Sequence, residues 1–419
     1  MTAPTSSEPL SLPSRLGGAS GVGARWAAVA LGFSIPISTA ADNALIALAV
    51  VLWLASGRIA EVRDIVRTNG FARASWLLLG GLVLGMTWGY GDWVDRLHYV
   101  GKYKELIAVP VLIMLFQSAT HREFALRGFS TAMTITLFFS YLIALKVDPV
   151  AHFFNHPDQN ATNAFVFKLH LTHNLLMAIG AYLWTLKACD KRTGRWRFIF
   201  GALALAAAYN VLFMVQGRTG QIALLVLGFY WVYSVFRWRG IAAAVVMTGI
   251  LITAGWMTTA PFVSKMRLAA KEVSQWQPGQ GAKTSSALRL NFYTNTIAII
   301  RDHPWLGVGS GGFKRAYEEK IRGTTIESSD NPHNQYLLIT AQLGLGGLGL
   351  LLYLFYQHWR LATRLADTVE RKLSMGLLLL MVTGCLFNSM MIDHTEGFLY
   401  AWLSGVLFGS NATLTEKAA

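Results

Sequence analysis

Arg218 stands in Gln216-Gly217-Arg218-Thr219-Gly220, a hairpin of a few residues between two apolar runs. A guanidinium there lies at headgroup level with little room to withdraw, so it is either a snorkelling anchor or a ligand for an anion. Arg289 falls in the first turn of a helix that Thr284-Ser285-Ser286 can cap, and Leu288, Phe292 and Ile299 give that helix an apolar stripe through about Arg301. The helix dipole disfavours a cation at that end, and an anionic partner explains the placement; a solvated arginine is the alternative. His333 belongs to Asp330-Asn331-Pro332-His333-Asn334-Gln335-Tyr336-Leu337, directly before a long apolar run. Asp330 or Asn331 is expected to cap that helix, with Pro332 in its first turn and His333 at its positive end. The dipole there favours a neutral ring able to accept a proton; a capping hydrogen bond is the alternative role.

Between these groups runs Asp302-His303-Pro304-Trp305-Leu306-Gly307-Val308-Gly309-Ser310-Gly311-Gly312-Phe313. Pro304 should end the preceding helix, and the glycines allow a tight turn that can aim N–H groups at an anion. Gly307, Gly309 and Gly312 fit G-x-G-x-x-G, but no strand precedes them and no Walker lysine follows, so a dinucleotide site is rejected. Gly344, Gly346, Gly347 and Gly349 read as sites of close helix packing. Asp92, Asp95, Arg96, Lys102 and Lys104 form one charged group beside apolar runs, and Asp393, His394 and Glu396 form another. Two carboxylates without a third ligand make poor support for a metal, and His152, His156, His170 and His173 read as interface residues. Neither a metal nor a cofactor is expected. Cys189 and Cys385 read as packing residues.

These groups need a frame, and the composition supplies it. The chain has 419 residues, 53% hydrophobic and 14% charged, against about 25% charged in an average soluble domain. That excludes a soluble globular enzyme, a disordered chain and a disulfide scaffold. A run of about 20 apolar residues crosses the hydrocarbon core as a helix. Twelve such spans are expected, at about 24–38, 41–56, 74–88, 104–118, 129–146, 170–186, 197–215, 220–236, 241–259, 333–358, 373–392 and 398–413. Pro36 and Asp42 interrupt the first two, which are read as two tilted spans rather than a re-entrant pair.

The expected organisation is a disordered tail over 1–23, nine spans over 24–259, a helical loop over 260–332, three spans over 333–413 and a short tail over 414–419. The net charge of +14 tests it. With the N-terminus in the cytoplasm, 20 Lys and Arg fall on that side and 6 in the short loops opposite, while the long loop holds the other 10. Cytoplasmic loops carry such an excess, so both termini are expected inside and the long loop outside. The charge thereby reports orientation and calls for no nucleic acid partner.

Two arginines suit a phosphate pair because the planar fork matches its oxygens as Lys cannot. Nucleotide sugars and ATP are absent from the outer side of a bacterial inner membrane. An activated donor there must carry its own leaving group and arrive through lipid, as a polyprenyl pyrophosphate-linked sugar does. The chemistry is then glycosyl transfer, with positive charge assisting departure of the lipid pyrophosphate.

Gln216-Gly217-Arg218-Thr219-Gly220, the helix with Arg289, the run from His303 and above all Pro332-His333-Asn334-x-x-Leu337 resemble the O-antigen ligase/polymerase superfamily, over roughly residues 200–345. The glycine run departs by an extra pair, Gly311-Gly312, before Phe313. The resemblance implies an all-α polytopic membrane protein of GT-C-like architecture with a large periplasmic loop. It implies metal-independent, inverting transfer of O-antigen polysaccharide from undecaprenyl pyrophosphate to lipid A–core at the periplasmic face of the inner membrane. By that resemblance His333 is catalytic and Arg218 and Arg289 bind pyrophosphate, with Asn334, Arg301, His303, Lys102 and Asp393 as secondary candidates. An O-antigen polymerase and a protein O-oligosaccharyltransferase are the nearest alternatives. A lipid or anion transporter is the alternative of a different class, and it would call for repeat symmetry and paired broken helices.

Overall fold

The computed structural model describes residues 12–147, 153–154, 156–256, 261–277, 279 and 284–412. Of the expected tails, 1–11 and 414–419 lie outside the described residues, as does His152. Helix α1 (Leu12–Ser34) begins well inside the expected disordered tail. Pro13 sits in its first turn, where the missing N–H costs nothing. It packs against α2 (Thr39–Ala55), which turns by 107° into the amphipathic α3 (Ile59–Thr68). Next come α4 (Gly70–Gly85), the short α5 (Trp93–Gly101), α6 (Glu105–Leu115) and α7 (Ala119–Ala144).

Helix α8 (His170–Cys189) is central and packs against α9 (Arg197–Tyr209), α10 (Arg218–Trp256) and α15 (Thr368–Phe387). Between α10 and α15 lie α11 (Pro261–Ser274), α12 (Ser285–Asp302), α13 (Phe313–Lys320) and α14 (Gln335–Ala362). The last helix, α16 (His394–Ala412), is apolar on every side and correspondingly buried, with Phe398, Trp402 and Phe408 in the main core against α6. Cys385 is buried as expected, whereas Cys189 is exposed at the end of α8, where the apolar run gives way to charge.

Among the described residues four helices are long and apolar enough to cross a membrane, or five if the bent α2–α3 pair is one span. Several expected spans correspond to shorter helices: 104–118 is the 11-residue α6 with Pro110 inside, and 74–88 is the 16-residue α4. Two expected spans, 220–236 and 241–259, join as α10 with a break at Arg237 (φ 58°). The expected span from 333 is broken as well. Gly344 has φ 64°, and a Cβ there would lie 2.1 Å from the Trp305 carbonyl oxygen.

That break explains the glycine run. Val308 N–H donates to Ala341 O at 2.9 Å and Gly309 N–H to Gln342 O at 2.8 Å, while Pro304 O accepts from Leu345 N–H at 2.8 Å. Ser310 N–H donates to Gly85 O and Gly311 N–H to Gln342 Oε1. The run is therefore a splice that satisfies the exposed backbone of a broken helix. Its N–H groups are spent on protein acceptors, which corrects the expectation of an anion-binding turn. The loop elements form their own small core of Ile299, Val308, Phe313, Tyr317 and Leu338 on the first half of α14.

Candidate active site

Arg218 opens α10, and its position is set by α8. The Asn174 amide donates to Val215 O at 3.3 Å and to Gly217 O at 3.0 Å, pinning the chain as it enters the hairpin. A Cβ at Gly217 or Gly220 would come within 2.8 or 2.7 Å of Asn174, so the hairpin approaches only because both residues are glycine. Beside it, His173 Nδ1 accepts from Val166 N–H at 3.1 Å. That leaves Nε2–H to donate to Asn210 Oδ1 at 3.2 Å, and Asn210 Nδ2 donates to Ser140 Oγ at 2.7 Å. His173 is thus a structural histidine that holds the π-turn Asn210–Met214 ahead of the hairpin.

The Arg218 guanidinium reaches across to Ser286 Oγ at 3.0 Å, in the first turn of α12. Thr284 takes the extended N-cap position of that helix, although its hydroxyl makes no capping hydrogen bond. One turn on, Arg289 faces a cavity of about 380 Å³ that it shares with Arg218, His170, Gln216 and Thr219. Burial lowers the Arg289 pKa, Tyr293 opposes that, and the like charge of Arg218 adds to it. Two guanidiniums held together in a partly dry cavity are poised for an anion with several oxygens.

His333, in the loop before α14, packs against α12 one turn beyond Arg289. Its ring packs on Phe292 with centroids 5.7 Å apart, and Tyr293 donates its hydroxyl to His333 O at 3.4 Å and to Leu386 O at 3.1 Å. His333 is in the left-handed region, φ 52°, an unfavourable conformation for a residue with a Cβ. Asn331 Oδ1 holds it there by accepting from His333 N–H at 2.8 Å. The helix cap is Asn334, whose Oδ1 accepts from Leu337 N–H at 3.0 Å. The expected cap at Asp330 or Asn331 is thereby moved toward the C-terminus, and Pro332 precedes the helix, because the residue before it needs extended backbone.

Behind the ring, His333 Nδ1 lies 3.2 Å from Asn388 Oδ1, and Asn388 Nδ2 donates to Asp393 Oδ2 at 2.5 Å. Burial raises the Asp393 pKa, opposed by His333, Asn388 and Lys102. Lys102 also pairs with Asp330 at 3.6 Å, so two secondary candidates, Lys102 and Asp393, belong to the surroundings of His333. Arg301 and His303 do not. They lie twelve or more residues beyond Arg289, about 18 Å along the helix. His303 meets Tyr90 edge-on in a separate cavity of about 160 Å³. Helical distance, invisible to their nearness in sequence, removes both from the arginine cavity.

Lys102 apart, the charged residues around α5 include structural ones. Asp92 caps α5 by accepting from Asp95 N–H at 2.8 Å, and Arg96 donates to Met86 O and Gly91 O. A buried polar cluster nearby joins Asp42, His394 and Glu396, which stood out in the sequence, to Ser34, Glu105, Lys168 and Thr172. Asp42 accepts from Ser34 Oγ at 2.5 Å and lies 3.7 Å from Lys168 Nζ; His394 Nδ1 lies 3.2 Å from Glu105, and Thr172 donates to Glu396 at 2.6 Å. Gln335 donates to the Tyr103 hydroxyl at 2.9 Å and accepts from Met391 N–H at 3.0 Å. These bonds gather the starts of α2, α6, α8, α14 and α16 at one end of the bundle. His170, read from the sequence as an interface residue, lines the arginine cavity, while Tyr293 and Asn388 went unmarked in the sequence because each reaches the site through tertiary packing.

A bundle of helices apolar enough to span a membrane, with a buried polar and cationic site at one end, defines a polytopic helical membrane protein. Residues 200–354 match the family model described as O-antigen ligase, which supports membership of the O-antigen ligase/polymerase superfamily and its glycosyl transfer on lipid-linked polysaccharide. The match takes in Arg218, Arg289, the glycine run and Pro332-His333-Asn334, and stops short of Asn388 and Asp393. No curated protein matches the chain.

Proposed function

We propose that this chain is an O-antigen ligase: it moves a polysaccharide from undecaprenyl pyrophosphate to a core-sugar hydroxyl of lipid A–core, with inversion and without a metal. The observation that carries this reading is Arg218 and Arg289 in one cavity, with His333 packed from the loop before α14 against Phe292 and Tyr293, one turn beyond Arg289 on α12. In this account the donor pyrophosphate occupies the arginine cavity while its polyprenyl tail lies between helices. The acceptor hydroxyl gives its proton to His333 Nε2 as its oxygen bonds to the anomeric carbon. The bond from that carbon to the pyrophosphate oxygen breaks on the opposite face, and the arginines take up the charge that develops on the leaving group.

The same proposal places the protein in the inner membrane, with both termini in the cytoplasm and the site facing the periplasm. It counts the shorter helices α4 and α6 among twelve spans of a GT-C-type arrangement. The test is reconstitution of the purified protein with lipid-linked glycan and rough lipopolysaccharide in the presence of a chelator. Glycan joined to the lipopolysaccharide supports the ligase. Glycan lengthened on its own lipid makes the protein a polymerase, and loss of transfer restored by Mg²⁺ or Mn²⁺ contradicts the metal-free reaction.

A further inference from the structure

A general base needs its lone pair on the side facing the substrate, and a neutral imidazole has two forms that place it differently. In this protein the choice is made by Asn388, the residue that ends α15. Its Nδ2 lies 2.5 Å from Asp393 Oδ2; above the raised pKa of Asp393 that carboxylate only accepts hydrogen bonds, so in its ionised form the NH₂ of the amide faces Asp393. The other end of the amide is then an oxygen, and it faces His333 Nδ1 at 3.2 Å. An acceptor opposite Nδ1 requires the proton there, which leaves Nε2 unprotonated.

Nothing in the amino-acid pattern marks Asn388, yet it is held from both sides: the backbone N–H of the same residue donates to Gly384 O at 2.9 Å. The ring packs on Phe292, and the hydrogen bond to Asn388 favours the orientation that turns Nδ1 toward the amide. Lys102 favours the carboxylate of Asp393 against the burial that raises its pKa, and Asp330, Tyr293, Glu396 and Cys385 are further titratable groups around this turn.

We propose that Asn388 is a positioning residue that locks His333 in the Nδ1–H form, with Asp393 acting through it, so that Nε2 is the atom that receives the acceptor proton. The inference rests on the reading of His333 as the base and adds which nitrogen does the work and what selects it. The arrangement uses an amide where a carboxylate would instead hold the ring as imidazolium. An amide oxygen sets the proton position without adding charge beside a ring that must be neutral before it can accept a proton.

The test has a spectroscopic arm and a kinetic arm. Protein labelled with ¹⁵N-histidine is placed in proteoliposomes at a pH where the ring is neutral, and the His333 signals are identified by their absence in His333→Gln. The expected result is a protonated Nδ1 and a bare Nε2 in the wild type, replaced in Asn388→Leu by a mixture of forms. A wild-type ring protonated on Nε2 overturns the proposal whether or not any variant folds. In the kinetic arm, Asn388→Leu is expected to lower transfer by about 10²-fold or more, within the range for loss of a working base. Asp393→Leu should cost less alone and nothing further in the Asn388→Leu background, because its effect passes through the amide. Fully additive losses, or wild-type transfer by Asn388→Leu while His333→Gln is inactive, overturn the role of Asn388 and leave the base in place. Wild-type transfer by His333→Gln removes the base itself.

Discussion

Tyr293 stands one helical turn after Arg289 and donates its hydroxyl to the backbone oxygen of His333 at 3.4 Å, so a single helix fixes both halves of the site. Residues four apart on a helix share a face, so Arg289 and the Tyr293 that meets His333 lie on the same side of α12. His333 keeps its left-handed backbone, held by Asn331 Oδ1, where the start of α14 meets that face.

Tyr293→Phe removes one hydrogen bond from this support and keeps the ring. Loss of a single bond of about 1 kcal/mol corresponds to roughly a fivefold lower transfer rate. Tyr293→Ala, which also removes the packing, should fall further. Rates for both in proteoliposomes check this; an unchanged rate in Tyr293→Phe means that His333 is held by its other contacts alone.

The paired arginines make different demands. Arg289→Ala should reduce transfer by about 10²–10³-fold, the usual effect of removing one group that stabilises developing charge. Arg218→Lys should be damaging too, since an ammonium cannot offer two parallel N–H groups. Titration with a short-chain prenyl diphosphate should show weaker binding in both variants. Wild-type affinity in Arg218→Lys would return that residue to the role of membrane anchor.

The three principal site residues were legible because each stands in a local pattern: a hairpin too short for an arginine to escape, a cation in a first turn, a histidine before an apolar run. What the sequence hid was the company they keep. Asn388 looks like any helix end until Asp393 folds back on it. The glycine run invited an anion because a sequence shows donors and not the acceptors that the broken α14 presents. Hydropathy registers that helix as one span, since a backbone break at Gly344 leaves the apolar count unchanged.

The four glycines of α14 looked alike in sequence and differ in structure. Gly344→Ala should prevent accumulation of folded protein, because φ 64° and the Trp305 carbonyl at 2.1 Å both exclude a Cβ. Nothing lies within 4 Å of a Cβ at Gly346, so Gly346→Ala should be tolerated and gain about 0.5–1 kcal/mol of helix stability. Yield and thermal unfolding of the two variants in detergent separate them. Equal behaviour would mean that the splice against the glycine run is dispensable.

Asp393 gives a pH dependence of defined sign. Burial raises its pKa, so the folded protein keeps this proton to higher pH than the unfolded chain does. The unfolded chain binds fewer protons in the interval above the ordinary carboxylate value, and stability falls as pH rises through it. Asp393→Asn should remove the Asp393 share of that fall and leave the share of the buried Glu396 beside it, so its unfolding temperature should decline less than that of the wild type as pH rises above the ordinary carboxylate value. Parallel curves would show that the carboxylate is solvated in the folded protein.

The most direct measurement is a single turnover in proteoliposomes, with lipid-linked glycan and rough lipopolysaccharide, comparing wild type with His333→Ala at equal folded protein. The account predicts that glycan appears on the lipopolysaccharide with the wild type and that His333→Ala is slower by about 10²–10⁴-fold while still binding the lipid-linked donor. Equal rates for the two proteins would contradict it.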